Sequence, residues 1–331
     1  MKVPFLSSLL ACPSCSSELT VASGGFACPG CAASFPTVDG IPRFVSADNY
    51  ARSFGFQWNR FAQAQLDDHW GIDASRDRFR KETRWSHDLR GQLILEAGCG
   101  AGRFTAHAAS TGARVVSFDY SSAVEAAKRN HDQLENVEFL QADIHRLPLR
   151  HGLFDKIFCF GVLQHCPDPA VAFRSLVPFL KPGGEIVVDI YRLSWKCLFQ
   201  GKYYVRPLTR RIPPERLFPL VRAYVKVAYP ALALPHRVFG SRVARMIGQV
   251  VSVCDYRGYF AVSDDKQFEL CLLDTFDMLS PAHDHPRNIR TVRQWLGGAG
   301  LEAIEVRPGF NGLEARGRKP VDKRDGMLTV A

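Results

Sequence analysis

Leu93-Ile-Leu95 runs without a break into Glu96-Ala-Gly98-Cys-Gly100-Ala-Gly102-Arg-Phe104 and on into the helical stretch FTAHAAS. A short apolar strand, a glycine-rich turn and a helix, in that order, are compatible with few folds. Gly98 and Gly100 let the backbone approach a ligand, and Gly102 lets the helix pack closely on the strand. The alternation then repeats. Val115-Val-Ser-Phe-Asp119 reads as a second strand, ending in a carboxylate 21 residues after Gly98, and SSAVEAAKRNH as a helix N-capped by Ser121 or Ser122. A third strand, Val137 to Gln141, runs into Ala142-Asp143-Ile144, with Leu147-Pro148 beyond. A fourth, Phe154 to Phe160, leads into Gly161-Val-Leu-Gln164-His165, and Lys181-Pro-Gly-Gly184 turns into a fifth, Glu185 to Ile190. This spacing predicts an α/β fold, a doubly wound, mostly parallel sheet with helices on both faces.

A second signal precedes it. Cys12-Pro-Ser-Cys15 and Cys28-Pro-Gly-Cys31 are separated by twelve residues. Two such turns offer four thiolates, the ligand set of tetrahedral structural zinc, with no coordination position left for catalysis. Between them SSELTVASGGFA reads as a hairpin with Gly24-Gly25 at its tip. A redox dithiol is the alternative, but no thioredoxin-like βαβ unit surrounds the pairs. So small a module cannot build its own core, so metal binding supplies its folding energy. Chelation is therefore expected to unfold the first ~40 residues and to leave cofactor binding largely intact.

Composition narrows the class. Hydrophobic content of 46% and charged content of 23% exclude a disordered or fibrous chain. Ten cysteines, four of them in the paired motif and the rest scattered through apolar segments, fit a reducing cytoplasm better than a disulfide framework. MKVPFLSSLLACPSC carries no small-residue cleavage site, so no signal peptide is expected. Arg222, Lys226 and Pro230 interrupt the best candidate for a membrane span.

Taken together, EAGCGAGRF, the acid ending the second strand, the Asp before Leu147-Pro148 and the KPGG turn make residues 85–191 resemble class I methyltransferases of the small-molecule type, often labelled type 11. The resemblance implies S-adenosylmethionine as methyl donor. It places Glu96, Gly98 and Gly100 at the amino-acid end of that cofactor, Asp119 with the neighbouring Tyr120 at the ribose, and Asp143 with Ile144 at the adenine. Phe35 to Phe44 resembles the closing segment of small zinc-ribbon proteins that associate with methyltransferases. His165, at the carboxyl edge of the sheet, is the candidate general base, or else a loop histidine that shapes the pocket. Gln164 and Tyr191 are candidate substrate-pocket residues, while Cys159 and Cys166 read as buried apolar groups.

The expected organisation is then a zinc ribbon at 1–45, a helical connector at 46–85 with aromatics at a packing interface, and a core at 86–191 and 286–312. A basic helical insertion occupies 192–285 and a tail 313–331. The core is expected to resume with a helix at 292–300 and a hairpin opening at Leu301. From 192 to 260 there are thirteen Lys and Arg against only Glu215 and Asp255. Leu217, Leu220, Val221, Tyr224, Val225 and Ala228 recur at helical spacing, as do Val243, Ile247, Val250 and Cys254, which reads as an amphipathic lid over the acceptor site. Asp274, Ser280, Pro281, His283, Asp284 and His285 read as a polar loop near it. The expected activity is methylation, at oxygen, of a small-molecule or glycan-linked acceptor, which the basic insertion marks as anionic. Ribosomal RNA base methylation is the alternative enzyme, a non-catalytic cofactor-binding scaffold the alternative of another class, and peripheral membrane contact a further use of the 192–260 helices. Nothing in the sequence indicates an oligomeric state.

Overall fold

The computed structural model describes residues 3–46 and 49–321. The chain opens with α1 (Val3–Leu9) and a four-stranded antiparallel sheet of β1 (Thr20–Ala22), β2 (Gly25–Ala27), β3 (Ser34–Val38) and β4 (Ile41–Pro42), in that order. Ala22 pairs with Gly25, so the hairpin tip is Ser23-Gly24, one residue earlier than its sequence indicates. The connector supplies α2 (Arg52–Arg60), α3 (Asp67–Trp70) and α4 (Ala74–Thr83).

The core follows as β5 (Leu93–Ala97), α5 (Thr105–Ala109), β6 (Arg114–Asp119), α6 (Ala123–His131), β7 (Val137–Gln141), β8 (Phe154–Cys159), α7 (Pro169–Leu176) and β9 (Leu180–Ile190). Asp168 caps α7 by accepting the N–H groups of Ala170 and Val171. The insertion then adds α8 (Lys202–Thr209), α9 (Pro214–Ala231), α10 (Ala233–Val250) and α11 (Asp264–Leu279), and the core closes with α12 (Ile289–Gly298), β10 (Glu302–Gly309) and β11 (Gly312–Arg318).

Seven strands form one sheet in the order β10-β11-β9-β8-β5-β6-β7. β7, β6, β5, β8 and β9 are mutually parallel, and β11 enters antiparallel between β9 and β10. Neighbouring residues of one strand enter different cores: Leu95 and Val116 lie in one, Ile94 and Val115 in the other, all fully buried. Helices cover both faces, which is why these strands read as unbroken apolar runs. A third core joins connector to insertion, packing Phe61 and Trp70 against Leu217, Val221, Val225 and Phe276.

The tail is corrected here. Residues 312–318 are the second strand of the closing hairpin, and Leu313 and Ala315 are buried against β9. GLEARGR has only two apolar positions to mark it, which is why it passed for tail. The remainder of the expected tail, residues 322–331, lies outside the described residues. Asp274 is also relocated, from a loop to the face of α11.

Candidate active site

The glycine loop after β5 and the tip of β6 build the candidate cofactor cradle. After β5 the N–H groups of Gly98 and Cys99 both reach the Phe118 carbonyl, at 2.8 and 3.0 Å, and the loop turns through positive φ at Gly98, Gly100 and Gly102. A Cβ on Gly98 would lie 2.3 Å from Val162 Cγ2, so the turn admits no side chain there. Asp119, at the tip of β6, holds the loop from the adjacent strand. Its Oδ2 accepts the Gly100 N–H at 2.9 Å, and its Oδ1 accepts the Ser121 N–H and hydroxyl at 2.8 and 2.7 Å. Burial pushes Asp119 up in pKa, opposed by those hydrogen bonds. A carboxylate in that position favours a ligand that brings further donors, such as ribose hydroxyls.

These residues wall a cleft of about 310 Å³. Of the residues expected at the cofactor, Gly98, Gly100, Asp119, Tyr120 and Ile144 line it, and of those expected at the acceptor, His165 and Tyr191 do. Three others stand outside the lining. Glu96 is fully buried behind the loop, where its Oε2 accepts the hydroxyls of Thr105 and Ser117, both at 2.6 Å. It braces the cradle without facing the ligand. Asp143 Oδ1 accepts the His145 N–H at 2.9 Å and so shapes the turn after β7. Gln164 is wholly buried in the Leu163–His165 turn, facing away from the cleft. In each case a strand pleat or tight turn decides which neighbour faces the ligand, and a motif does not encode that.

Burial holds Glu96 at a pKa of about 7. An acid raised in the folded state contributes most stability below its unfolded pKa and loses it as pH rises through the folded value. Glu96→Gln keeps an acceptor for Thr105 and Ser117 and removes the ionisation. The stability of Glu96→Gln relative to the parent should therefore climb by about 2 kcal/mol between pH 5 and 8, as followed by denaturant melts. A difference that is flat with pH counts against a buried, titrating Glu96.

The opposite end of the cleft is polar and acidic. His165 stacks near Phe54 and Tyr191, with ring centroids 4.9 and 5.6 Å away. Its Nδ1 lies 3.0 Å from the His283 carbonyl oxygen. A carbonyl can only accept, so the proton is on Nδ1 and Nε2 carries the lone pair. Burial lowers the His165 pKa below its usual 6.5, which keeps the ring neutral at pH 7. From α11, Asp274 accepts the Tyr256 hydroxyl, meets the Gln65 side chain that also accepts from Arg103, and is lifted to about 7 by burial, while Asp277 accepts the Gln57 amide at 3.2 Å. Both carboxylates line the cleft.

Several lining residues escaped the sequence reading. Tyr50, Phe54 and Trp58 come from the connector, whose aromatics are thus cleft wall as well as interface. Arg103, next to Gly102 in the glycine motif, is half-buried and donates to Ser75 and Gln65. Arg78 pairs inside the protein with Glu82 and Asp189. The i,i+3 spacing of Asp274 and Asp277 on α11 was the one available sequence signal for the acidic end.

The four cysteines meet as expected, with all Sγ atoms within 4.8 Å of one another. The two turns are copies. Ser16 and Ala32, each following its second cysteine, adopt positive φ and donate N–H to the Cys12 and Cys28 carbonyls, at 2.8 and 2.9 Å. Sγ separations of 3.6 Å (Cys12 to Cys31) and 3.4 Å (Cys15 to Cys28) approach the roughly 3.8 Å that tetrahedral Zn–S bonds impose. The donor set fits structural zinc.

Residues 95–188 match the family model described as a methyltransferase domain. This segment is a methyltransferase domain. The chain is 36% identical over 131 residues to an uncharacterised 37.1 kDa protein of transposon Tn4556 from Streptomyces fradiae, covering 37% of this chain and 38% of that one. It is 29% identical over 167 residues to a ubiquinone biosynthesis O-methyltransferase from Aromatoleum aromaticum, covering 48% and 68%. A structure of human N-acetylserotonin methyltransferase in complex with SAM aligns at a TM-score of 0.47 with 17% identity, over 84% and 61% of the two chains. The match covers about two fifths of the Streptomyces relative's length and leaves more than half of this chain unmatched in both.

Proposed function

We propose that the protein transfers the methyl group of S-adenosylmethionine to a hydroxyl oxygen of a small, uncharged acceptor, free or glycan-linked. The observation that carries this reading is His165, neutral and fixed as the Nδ1–H tautomer by the His283 carbonyl, on the wall of a cleft it shares with Asp119. The sulfonium supplies an electrophilic methyl carbon. The glycine loop and Asp119 hold the adenosyl group, and Arg103, bonded only to the neutral Ser75 and Gln65, supplies positive charge beside the loop for its carboxylate. Tyr191 and the two aspartates orient the acceptor hydroxyl, and His165 Nε2 takes its proton as the C–O bond forms and the S–CH₃ bond breaks. The O-methylation in the name of the Aromatoleum relative is consistent with this assignment.

The basic insertion favoured an anionic acceptor, but its charge is placed elsewhere. Lys202 and Arg206 are spent on Asp284, and the cleft wall carries Asp274 and Asp277. A neutral polyol or phenol can donate to the Asp277 carboxylate and exchange hydrogen bonds with Asp274, which is partly protonated near pH 7, whereas an anion would face the Asp277 charge.

Labelled S-adenosylmethionine offered with neutral phenols and sugars, with acidic glycans and with stripped ribosomal RNA tests the reading. Label in the neutral acceptors supports it. Label in RNA alone establishes the base-methylase alternative, and label in none, with cofactor binding intact, the scaffold. His165→Asn retains a donor for the His283 carbonyl but offers no base. It should lower kcat by about a hundredfold with the cofactor Kd unchanged. In the parent, kcat should fall as pH drops through a value below 6.5, and His165→Asn should abolish that limb.

A further inference from the structure

The helices of the insertion are built inside out. α8 buries Lys202 and Arg206, 8% and 6% exposed, on Asp284, and turns out Tyr204 (68%), Val205 (44%) and Leu208 (67%). Past Gly240, whose φ of 79° breaks α10, the inward residues are Ala244 and Gly248, while Val243, Met246, Ile247 and Val250 face out. A Cβ on Gly248 would lie 2.5 Å from the Val253 carbonyl oxygen, so close packing on the inner side dictates the small residue. The Val243, Ile247 and Val250 stripe that reads as a buried face in the sequence is therefore the outer one. α9 shows Leu220, Tyr224 and Val227 in the same way, and Trp195, Leu198 and Phe199 are exposed in the turn before α8.

These faces adjoin. The Tyr224 hydroxyl of α9 donates to the Val251 carbonyl at the end of α10, and the Gly201 N–H, just beyond the aromatic turn, donates to the Gln249 carbonyl at 3.0 Å. Arg211, Arg216, Arg222, Lys226, Arg237 and Arg242 stand exposed among the apolar groups. The acidic residue on this stretch, Glu215, is paired with Arg52.

We propose that this face of the insertion docks on the surface of an anionic lipid bilayer, apolar side chains entering the headgroup boundary and the arginines and lysines meeting lipid phosphates. An exposed apolar surface of this extent marks an interaction site, and apolar groups interleaved with unopposed positive charge match an anionic interface in both properties. A second copy of this chain would set like charge against like. Among the described residues no single helix is long and apolar enough to cross a membrane, and α9 and α10, which pass that test only together, meet at 82°. With basic side chains every few residues, the pair rests at the interface. The inference stands apart from the methyl-transfer reading, because lipid binding needs neither cofactor nor acceptor.

Flotation with vesicles of phosphatidylcholine alone, or containing about one-third phosphatidylglycerol, tests it with the full chain. Binding is expected to the anionic vesicles only and to weaken with salt, and brominated lipid should quench a fluorescence component that Trp195→Phe removes. Leu198→Glu with Phe199→Glu, and separately Met246→Glu with Ile247→Glu, should each lower partitioning at least about tenfold while S-adenosylmethionine still binds. Failure to float with anionic vesicles at low salt overturns the proposal, as does binding indifferent to both double substitutions. Sedimentation showing a parent dimer that the glutamates dissociate overturns it too, and assigns the face to self-association.

Discussion

Asp119→Ala should weaken S-adenosylmethionine binding by about a thousandfold, the loss expected when two charge-assisted hydrogen bonds disappear from a buried site. The carboxylate has two duties. It is available to a bound ribose from the wall of the cleft, and it already accepts the Gly100 N–H and both donors of Ser121. Removing it strips the ligand of its acceptor and leaves the Gly100 N–H without one, so the loop loses preorganisation as well as charge. Asp119→Asn separates the two effects. Its single amide oxygen can serve the Ser121 donors or the Gly100 N–H and the ligand, but not both sides at once, so an intermediate loss of about tenfold is expected. Calorimetric titration reads both. If Asp119→Ala binds the cofactor as the parent does while its melting temperature is unchanged, the cradle is not where the adenosyl group lies.

The cradle was legible in the sequence because its signals are local. Glycines at forced backbone angles, a carboxylate closing a strand and an apolar run before each turn write themselves into consecutive residues. What could not be read depends on distant parts. Glu96 ends a strand like a ligand-facing acid, but its register partner is Ser117, and that hydroxyl together with Thr105 turns it into a brace. Asp274 and Asp277 reach the cleft from a helix more than a hundred residues downstream of His165, brought there by the third core that joins connector and insertion. Hydrophobic periodicity finds an apolar stripe on a helix and not the direction it faces. On α9 the stripe through Leu217, Val221 and Val225 is buried, whereas on α10 that through Val243, Ile247 and Val250 is exposed. The second half of the closing hairpin was missed for a related reason: a strand with only two apolar residues reads as tail until the partners on either side of it, β9 and β10, are known.

Metal removal should destabilise more than the ribbon. From sequence, the ribbon is a separable module whose loss spares the cofactor site. In the fold, Leu6, Leu9, Leu10, Cys12, Phe26 and Cys28 belong to the same buried cluster as Leu140, Leu147 and Leu149 of the methyltransferase domain. The Phe44 N–H donates to the Gln141 carbonyl at 2.9 Å, and Arg43 reaches the Gln141 side chain and Glu125, both at 3.0 Å. Gln141 in turn donates to the carbonyl of Tyr120, a lining residue beside Asp119. The ribbon thus buttresses the end of β7 and, through it, the Asp119 and Tyr120 wall of the cleft. Structural zinc contributes on the order of 10 kcal/mol to modules of this kind, more than so small an apolar interface replaces. Stripping the metal with a chelator, or replacing Cys28 by Ser, should lower the melting temperature by about 10 °C or more and weaken S-adenosylmethionine binding about tenfold, with zinc restoring both in the chelated protein. Arg43→Ala in the metal-replete protein should reproduce part of the binding loss without releasing zinc, which assigns the effect to the buttress. A protein shown to be metal-free that melts and binds as before would leave the four thiols without a structural role.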